Sequence, residues 1–236
     1  MSVHVYESSI DLYWLPLGAG GRSVRWNGRL LEAVTARRDH RATEDLYHSA
    51  LEVRERDRRF VIEMAPVWDD GATDRGVVSE GPVGARWLGR SRLFRYEIRR
   101  WRDGRIADVA EAVASPQRMS DNTQQAADLL EVVTSVPSLT WGRDELGAGD
   151  MWNSNSLTSW LLARTGHDMT MINPPPHGRA PGWHAGLALA SRQDGCRRHV
   201  RGNRAERPAE DLYLRRLGLR TLQSPASPED RQAHGL

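Results

Sequence analysis

The first half of the chain carries short runs rich in aromatic and β-branched residues, and Arg92 to Trp101 alternates with a period of two; this pattern predicts strands joined as hairpins. Turn-forming dipeptides such as Asn27-Gly28 and Asp103-Gly104 separate the runs. The predicted strands cover Val3 to Leu17, Ser23 to Trp26, Leu30 to Val34, Leu46 to Val53, Phe60 to Val67, Arg92 to Trp101 and Arg105 to Val109. The intervening stretch from Trp68 to Gly89 is rich in Gly, Asp and Trp, which predicts a long surface loop.

The second half changes to the spacing of amphipathic helices. Ser120 is predicted to cap one helix, which runs to about Thr134 before Pro137. A second helix is predicted from about Asn155 to Thr165, because Gly166 then supplies the residue type that ends helices most easily.

These elements predict an α+β fold, with a mainly antiparallel sheet in the N-terminal half packed by two helices from the C-terminal half. We expect one domain over residues 1–190. Beyond Ser191 the chain is dominated by Arg, Glu, Asp, Gln and Pro. Residues 191–236 are therefore predicted to be a disordered or loosely docked tail.

Composition narrows the possible functions. The 236 residues are 39% hydrophobic, which suits one core, and the net charge is only +2 because 31 acidic residues offset 33 basic ones, all of them arginine. This balance does not favour nucleic-acid binding. No window reaches 18 apolar residues and no signal peptide is recognisable, so we expect a cytoplasmic protein without a membrane span.

The chain shows no pattern for a metal or a cofactor. Its single cysteine, Cys196, excludes an internal disulfide and a cysteine-based zinc site. His167, His177 and His184 do not have a recognised ligand spacing. We therefore expect no metal, no cofactor and a small-molecule or peptide substrate, and the sequence leaves the oligomeric state open.

Two segments carry candidate chemistry. Ser154 opens an apolar helix, where a hydroxyl in positive potential lacks only a proton acceptor, and His48 stands at the head of a strand about a hundred residues earlier. Glu63 is the one carboxylate inside an otherwise apolar strand and is a candidate to orient the imidazole. The candidate substrate-binding residues around this helix are Asn153, Asn155, Trp152 and Trp183.

Each of these residues also has a structural interpretation. Ser and Asn are preferred helix N-caps, and in this interpretation Asn153 to Ser156 serve only to satisfy backbone amides. His48 would then bond a backbone carbonyl, and Glu63 would face solvent. The tryptophans near the helix are typical either of a core or of a cleft with aromatic walls.

In Tyr47-His48-Ser49-Ala50-Leu51 and Asn153-Ser154-Asn155 the chain resembles the circularly permuted papain-like group, which includes lecithin:retinol acyltransferase relatives and desumoylating peptidases. In that group a strand histidine precedes a nucleophilic cysteine at a helix N-terminus. The resemblance extends over Leu46 to Leu162 and implies that the His48 strand lies beside the N-terminus of the Ser154 helix. Ser154 stands where the group has its cysteine.

The serine in place of the group's cysteine leaves two alternative functions open. One is a serine-variant hydrolase or acyl/amide-transfer enzyme, in which Ser154 attacks a carbonyl, His48 moves the proton and Glu63 holds the ring. The other is a catalytically inactive binding protein that uses the same aromatic-lined groove. A serine hydroxyl needs a better-placed base than a thiol does. The position of the His48 side chain relative to Ser154 therefore discriminates between them.

Overall fold

A computed structural model describes residues 8–17, 45–67 and 74–195 of the chain. Within these ranges the strands are β1 (Ser9–Pro16), β2 (Asp45–Glu55), β3 (Arg58–Pro66), β4 (Val77–Pro82), β5 (Arg95–Arg102), β6 (Val113–Ser120) and β7 (Gly178–Arg179). The helices are α1 (Thr123–Val132), α2 (Ser154–Arg164) and α3 (183–195). Among the described residues, no helix is long and apolar enough to cross a membrane.

One sheet organises the fold. Its strands follow the order β4-β5-β3-β2-β1-β6, every neighbouring pair is antiparallel, and the short β7 joins β2 in parallel at Asp45 and Leu46. Helices α1 and α2 pack against the central strands. The predicted α+β class with a mainly antiparallel sheet is therefore confirmed.

The main core lies between the sheet and the helices, and we call this side of the sheet the helix face. Alternate strand residues enter it because side chains along a strand point to opposite sides. Its buried members include Ile10, Leu12, Trp14, Tyr47, Leu51, Val53, Ile62, Met64, Tyr96 and Ile98 from the strands and Leu129, Leu157, Trp160 and Leu161 from the helices. These side chains position α2 across β2 and β3.

The opposite side of the sheet, which we call the polar face, has a smaller core. Leu15, Ala50, Val61 and Ile106 form it, and Tyr13 packs against it. Charged strand residues on this face include Asp11, Glu52, Glu63, Glu97 and Arg99.

Several predicted elements are correct. The hairpin of Leu46 to Val53 with Phe60 to Val67 corresponds to β2 and β3, and the predicted strand from Arg92 to Trp101 corresponds to β5. The second helix ends as expected, because Gly166 takes a left-handed φ of 79°. The hairpin predicted over Ser23 to Val34 and the tail from residue 196 onward lie outside the described residues.

Other predictions are wrong in detail. Val77–Pro82 is a strand inside the stretch predicted to be a loop, whereas Arg105 to Val109 forms turns instead of a strand. Ser120 ends the unpredicted β6, and the first helix is capped by Asn122, whose side chain accepts from the amides of Gln124 and Gln125. The chain also has a third helix, α3.

The sequence predicts that helix α2 is amphipathic, but the structure shows that it is buried on all sides over most of its length. Nine consecutive residues, from Ser154 to Leu162, are buried. Five of these have polar side chains, and a buried polar group is costly unless it is hydrogen-bonded. The hydrogen bonds at this helix therefore decide what its polar residues do.

Candidate functional site

The two segments singled out in the sequence do meet in the fold. The side-chain amide of Asn155 donates to the backbone oxygen of Tyr47 at 2.9 Å, and the hydroxyl groups of Ser49 and Thr158 lie 2.9 Å apart in a hydrogen bond. The start of β2 is thus joined to the N-terminal turns of α2. The expected juxtaposition of the His48 strand and the Ser154 helix is present.

The structure does not bring the His48 and Ser154 side chains together. Tyr47 and Ser49 point to the helix face, so the alternation of β2 turns His48 to the polar face. Its partner on β1 is Leu15, which belongs to the small core of that face. The sheet therefore separates the imidazole of His48 from the hydroxyl of Ser154, and within the described residues no hydrogen bond joins them.

His48 is held in its neutral form. Burial lowers the pKa of its imidazole to about 4, and the negative charge of Asp108 opposes this effect only in part. A base with so low a pKa is also poorly matched to proton transfer at neutral pH. The environment of His48 is that of a covered side chain next to the small core.

Glu63 does not orient His48. Its carboxylate accepts from a guanidinium nitrogen of Arg99 at 2.9 Å, and Arg99 also pairs with Glu97. Glu97 in turn lies 2.9 Å from the Nε of Arg75. Glu63 therefore belongs to a buried ion-pair network on the polar face, and neither the catalytic role nor the solvent-facing interpretation of the sequence describes it.

The N-terminus of α2 is closed by a capping box. The Asn153 side chain accepts from the amides of Asn155 and Ser156, while the Ser156 hydroxyl accepts from the Asn153 amide at 3.0 Å. These bonds use backbone amides that a helix otherwise leaves without partners. They remove donors that an oxyanion would need.

Asn155 cannot serve as an oxyanion donor either. Both of its side-chain N–H groups are used, since the amide nitrogen bonds the carbonyl of Tyr47 and, at 2.8 Å, the carbonyl of Pro181. Its remaining polar atom is an acceptor oxygen, which is buried without a partner. An acceptor would repel a negatively charged intermediate.

Further hydrogen bonds join this terminus to the start of α3. The hydroxyls of Ser156 and Ser159 bond the carbonyls of Gly182 and Trp183, each at 2.7 Å. Asp150 accepts from the amides of Gly182 at 2.8 Å and of His184 at 3.1 Å. The polar cluster thus holds two helix N-termini and the preceding loop in one arrangement.

The two tryptophans expected to line an aromatic groove make packing contacts with other described residues. Trp152 is 1% exposed and lies in the main core. Trp183 is partly buried, and its ring packs against Trp14 with a centroid distance of 5.3 Å. These two indoles are used for packing, so their predicted role as ligand walls has no geometric support.

A cavity that the sequence did not reveal lies on the polar face. Its volume is about 650 Å³, which is within the range of ligand sites in proteins. It is lined by Ser9, Asp11, Tyr13, Glu52, Arg54, Arg56, Asp57, Arg58, Arg59, Pro116 and Arg118. Strands β1, β2, β3 and β6 and the turn between β2 and β3 contribute these residues.

The floor of the cavity consists of two paired carboxylates. One oxygen of Asp11 accepts from Ser9 at 3.0 Å and the other from Arg118 at 2.6 Å. Both oxygens of Glu52 are also used, one by Arg54 and one by Arg59 at 2.9 Å. The floor therefore fixes guanidinium groups in place and has no carboxylate oxygen without a partner.

The unused hydrogen-bonding capacity of the cavity is mostly that of donors. An arginine carries five N–H groups, and the pairs just described use only one or two of them in each residue. The backbone amide of Arg56 donates to the Ser8 hydroxyl at 3.4 Å, whereas its guanidinium group forms no hydrogen bond or ion pair with any residue that the structure describes. Beside the floor, burial and then the charges of Glu52 and Asp11 raise the pKa of Tyr13, so its hydroxyl stays protonated and is a further donor.

The sequence contains a partial signal for this cavity. The charges alternate in sign from Arg54 to Arg59, and this pattern alone is typical of a solvated turn. Arg118 lies on β6, which the sequence pattern does not predict, so the pattern also does not predict that Arg118 lies near that turn.

Within the described ranges, no group of three His, Cys, Asp or Glu side chains could hold a metal ion. No family model, curated protein or solved structure matches the chain.

Proposed function

We propose that the protein is a binding protein and that its ligand is a small molecule with a phosphate or carboxylate group. The observation that carries this proposal is the donor-rich cavity of about 650 Å³ on the polar face. Guanidinium groups bind such oxygen-rich groups through pairs of parallel hydrogen bonds. The functional surface is then on the opposite side of the sheet from Ser154.

Each part of the cavity has a distinct role in this proposal. Arg56 is the principal contact, because its guanidinium group is not committed to another described residue. Arg54 and Arg118 contribute the N–H groups that their bonds to Glu52 and Asp11 leave over. Tyr13 forms an aromatic wall with a donor hydroxyl, which suits a ligand that has a ring next to its anionic group.

The acyl-transfer enzyme is the second candidate. Its support is the contact of the Ser154 helix with the start of the His48 strand through Asn155 and Tyr47. That function requires a base on the helix face, whereas His48 lies on the polar face. The binding protein requires no rearrangement, and we therefore favour it.

Isothermal titration calorimetry with phenyl phosphate tests the proposal. We expect saturable binding of phenyl phosphate, much weaker binding of phenol, which lacks the charged group, and none of benzylammonium, which carries the opposite charge. Arg56→Gln is expected to weaken the affinity about tenfold, the effect of losing one charge-assisted contact. Arg102→Gln, at an exposed arginine outside the cavity, is the matched control and should have no effect.

Two results would overturn the proposal. One is binding of benzylammonium in preference to phenyl phosphate. The other is an equal loss of affinity in the Arg56 and Arg102 variants, because that would indicate a general charge effect instead of a site.

A further inference from the structure

A second surface, independent of the cavity, lies in the connection between β4 and β5. This connection, residues 83–94, contains two short 3-10 helices, Arg86–Arg90 and Arg92–Phe94, and we call it the β4–β5 connection. Trp87 is 71% exposed, Leu93 79% and Phe94 42%. We call these three side chains, which are exposed within eight residues of one connection, the patch; a group of exposed apolar residues is the kind of feature that marks an interaction site.

The backbone of the β4–β5 connection is fixed by hydrogen bonds. Its ends are joined by a bond from the Val83 amide to the Phe94 carbonyl at 2.8 Å, and the Gly84 amide bonds the Trp141 carbonyl at 2.9 Å. Bonds of 2.9 and 3.0 Å close the turns that end at Ser91 and Phe94. The connection therefore holds its apolar side chains outward on a defined backbone.

The charge around this patch is positive. The segment from Val83 to Phe94 contains three arginines, Arg86, Arg90 and Arg92, and no acidic residue. Arg86 pairs with Glu145. Arg90 and Arg92 are exposed and form no ion pair with any residue in the described part of the chain.

We propose that the β4–β5 connection docks on an anionic lipid bilayer, with Trp87 and Leu93 inserted at the headgroup level and Arg90 and Arg92 on the lipid phosphates. Tryptophan is enriched at the membrane interface, and arginine keeps its charged end in the headgroups while its stem is buried. Anionic lipids add attraction for each nearby arginine.

The shape and the composition of the patch favour a bilayer over other partners. Three side chains do not provide the area of about 800 Å² per partner that a stable protein interface buries. A single-stranded nucleic acid would use the aromatic rings, but it would gain nothing from Leu93, the most exposed of the three apolar side chains. An aliphatic side chain beside a tryptophan is suited to a hydrocarbon boundary.

Vesicle co-sedimentation of the full chain tests this proposal. We expect binding to vesicles of 70% phosphatidylcholine and 30% phosphatidylserine, and little binding to phosphatidylcholine alone. The double variant Trp87→Ser/Leu93→Ser should lose at least about tenfold in partitioning, because both apolar insertions are removed. Arg90→Gln and Arg92→Gln should each cost about fivefold, the effect of one arginine near an anionic surface.

The matched control is Met171→Ser, which removes an apolar side chain of similar exposure, 73%, from another part of the surface. It should leave vesicle binding unchanged. Failure to bind the phosphatidylserine vesicles would overturn the proposal, as would equal losses in the control and the double variant. A dimer in light scattering that the double variant abolishes would also overturn it, by showing that the patch meets a second copy.

Discussion

The two sides of the sheet use polar residues in opposite ways. On the helix face, Asn153, Asn155 and Ser156 spend nearly all of their hydrogen-bonding groups on each other and on the loop before α3. On the polar face, the arginines of the cavity fix two carboxylates and still have N–H groups left over. A polar cluster therefore indicates a binding site only when its hydrogen-bonding groups are not already used by the fold.

The largest change in stability is expected at the buried ion pairs of Arg99 on the polar face. Arg99→Leu removes a cation shared by Glu63 and Glu97 and should lower the free energy of unfolding by about 3–5 kcal/mol, because both carboxylates are largely buried. Urea denaturation measures this value. Arg102→Leu, at an exposed arginine on the same strand, should stay within about 0.5 kcal/mol of the wild type. Equal losses in the two variants would show that the network is not coupled to folding.

The second effect is a pH dependence that belongs to His48. Burial lowers the pKa of this imidazole from its ordinary 6.5 to about 4 in the folded protein, so the unfolded chain takes up a proton first as the pH falls. The contribution to stability is full above pH 6.5 and is lost towards pH 4. The full contribution amounts to about 3 kcal/mol by linkage.

Urea denaturation at pH 7.5 and pH 4.5 checks this prediction. His48→Gln should lose less stability between the two pH values than the wild type does. The exposed His184 provides the control, and His184→Gln should keep the full dependence. Burial also lowers the pKa of His167, and its contribution to the pH dependence is present in all three proteins. Identical pH profiles for the wild type and the His48 variant would place His48 in solvent.

The third effect separates two neighbouring serines of α2. Ser156→Ala removes a hydroxyl that bonds the Asn153 amide and the Gly182 carbonyl, and should cost about 2 kcal/mol in the free energy of unfolding. Ser154→Ala should cost less than about 0.5 kcal/mol, because no described residue hydrogen-bonds its hydroxyl. The reverse order would mean that Ser154, not Ser156, anchors the helix.

The smallest expected effect is chemical. A fluorophosphonate probe should give no adduct at Ser154, because the sheet separates this hydroxyl from His48. In Ser154→Cys the new thiol should react with iodoacetamide no faster when His48 is present than in the additional variant His48→Ala. A rate advantage that depends on His48 would contradict the geometry and revive the acyl-transfer enzyme.

Much of the sheet could be predicted because its strands have strong local patterns. The β2–β3 hairpin has apolar runs on both sides of a charged turn, and α2 ends at a glycine. Strand β6 was missed because Pro116 and polar residues interrupt any alternation there. The cap of α1 was misplaced by two residues because Ser120 and Asn122 are both good caps, and only Asn122 has the right position.

The direction of the His48 side chain can be inferred from the sequence. Tyr47, Leu51 and Val53 are apolar at odd positions of one strand, which assigns the odd positions to the main core and His48 to the other face. The cavity cannot be inferred from a local sequence pattern. It needs Arg118 on β6 next to Arg54 and Arg56 at the β2–β3 turn, and that proximity depends on the strand order.

The central claim is that the ligand surface is the polar face and not the N-terminus of α2. Amide chemical-shift mapping during a phenyl phosphate titration tests it most directly, because one experiment observes both regions. We predict that the largest shifts occur at Tyr13, Arg56 and Arg118, while Asn153 and Ser156 do not move. Largest shifts at Asn153 and Ser156, with the cavity silent, would contradict the account.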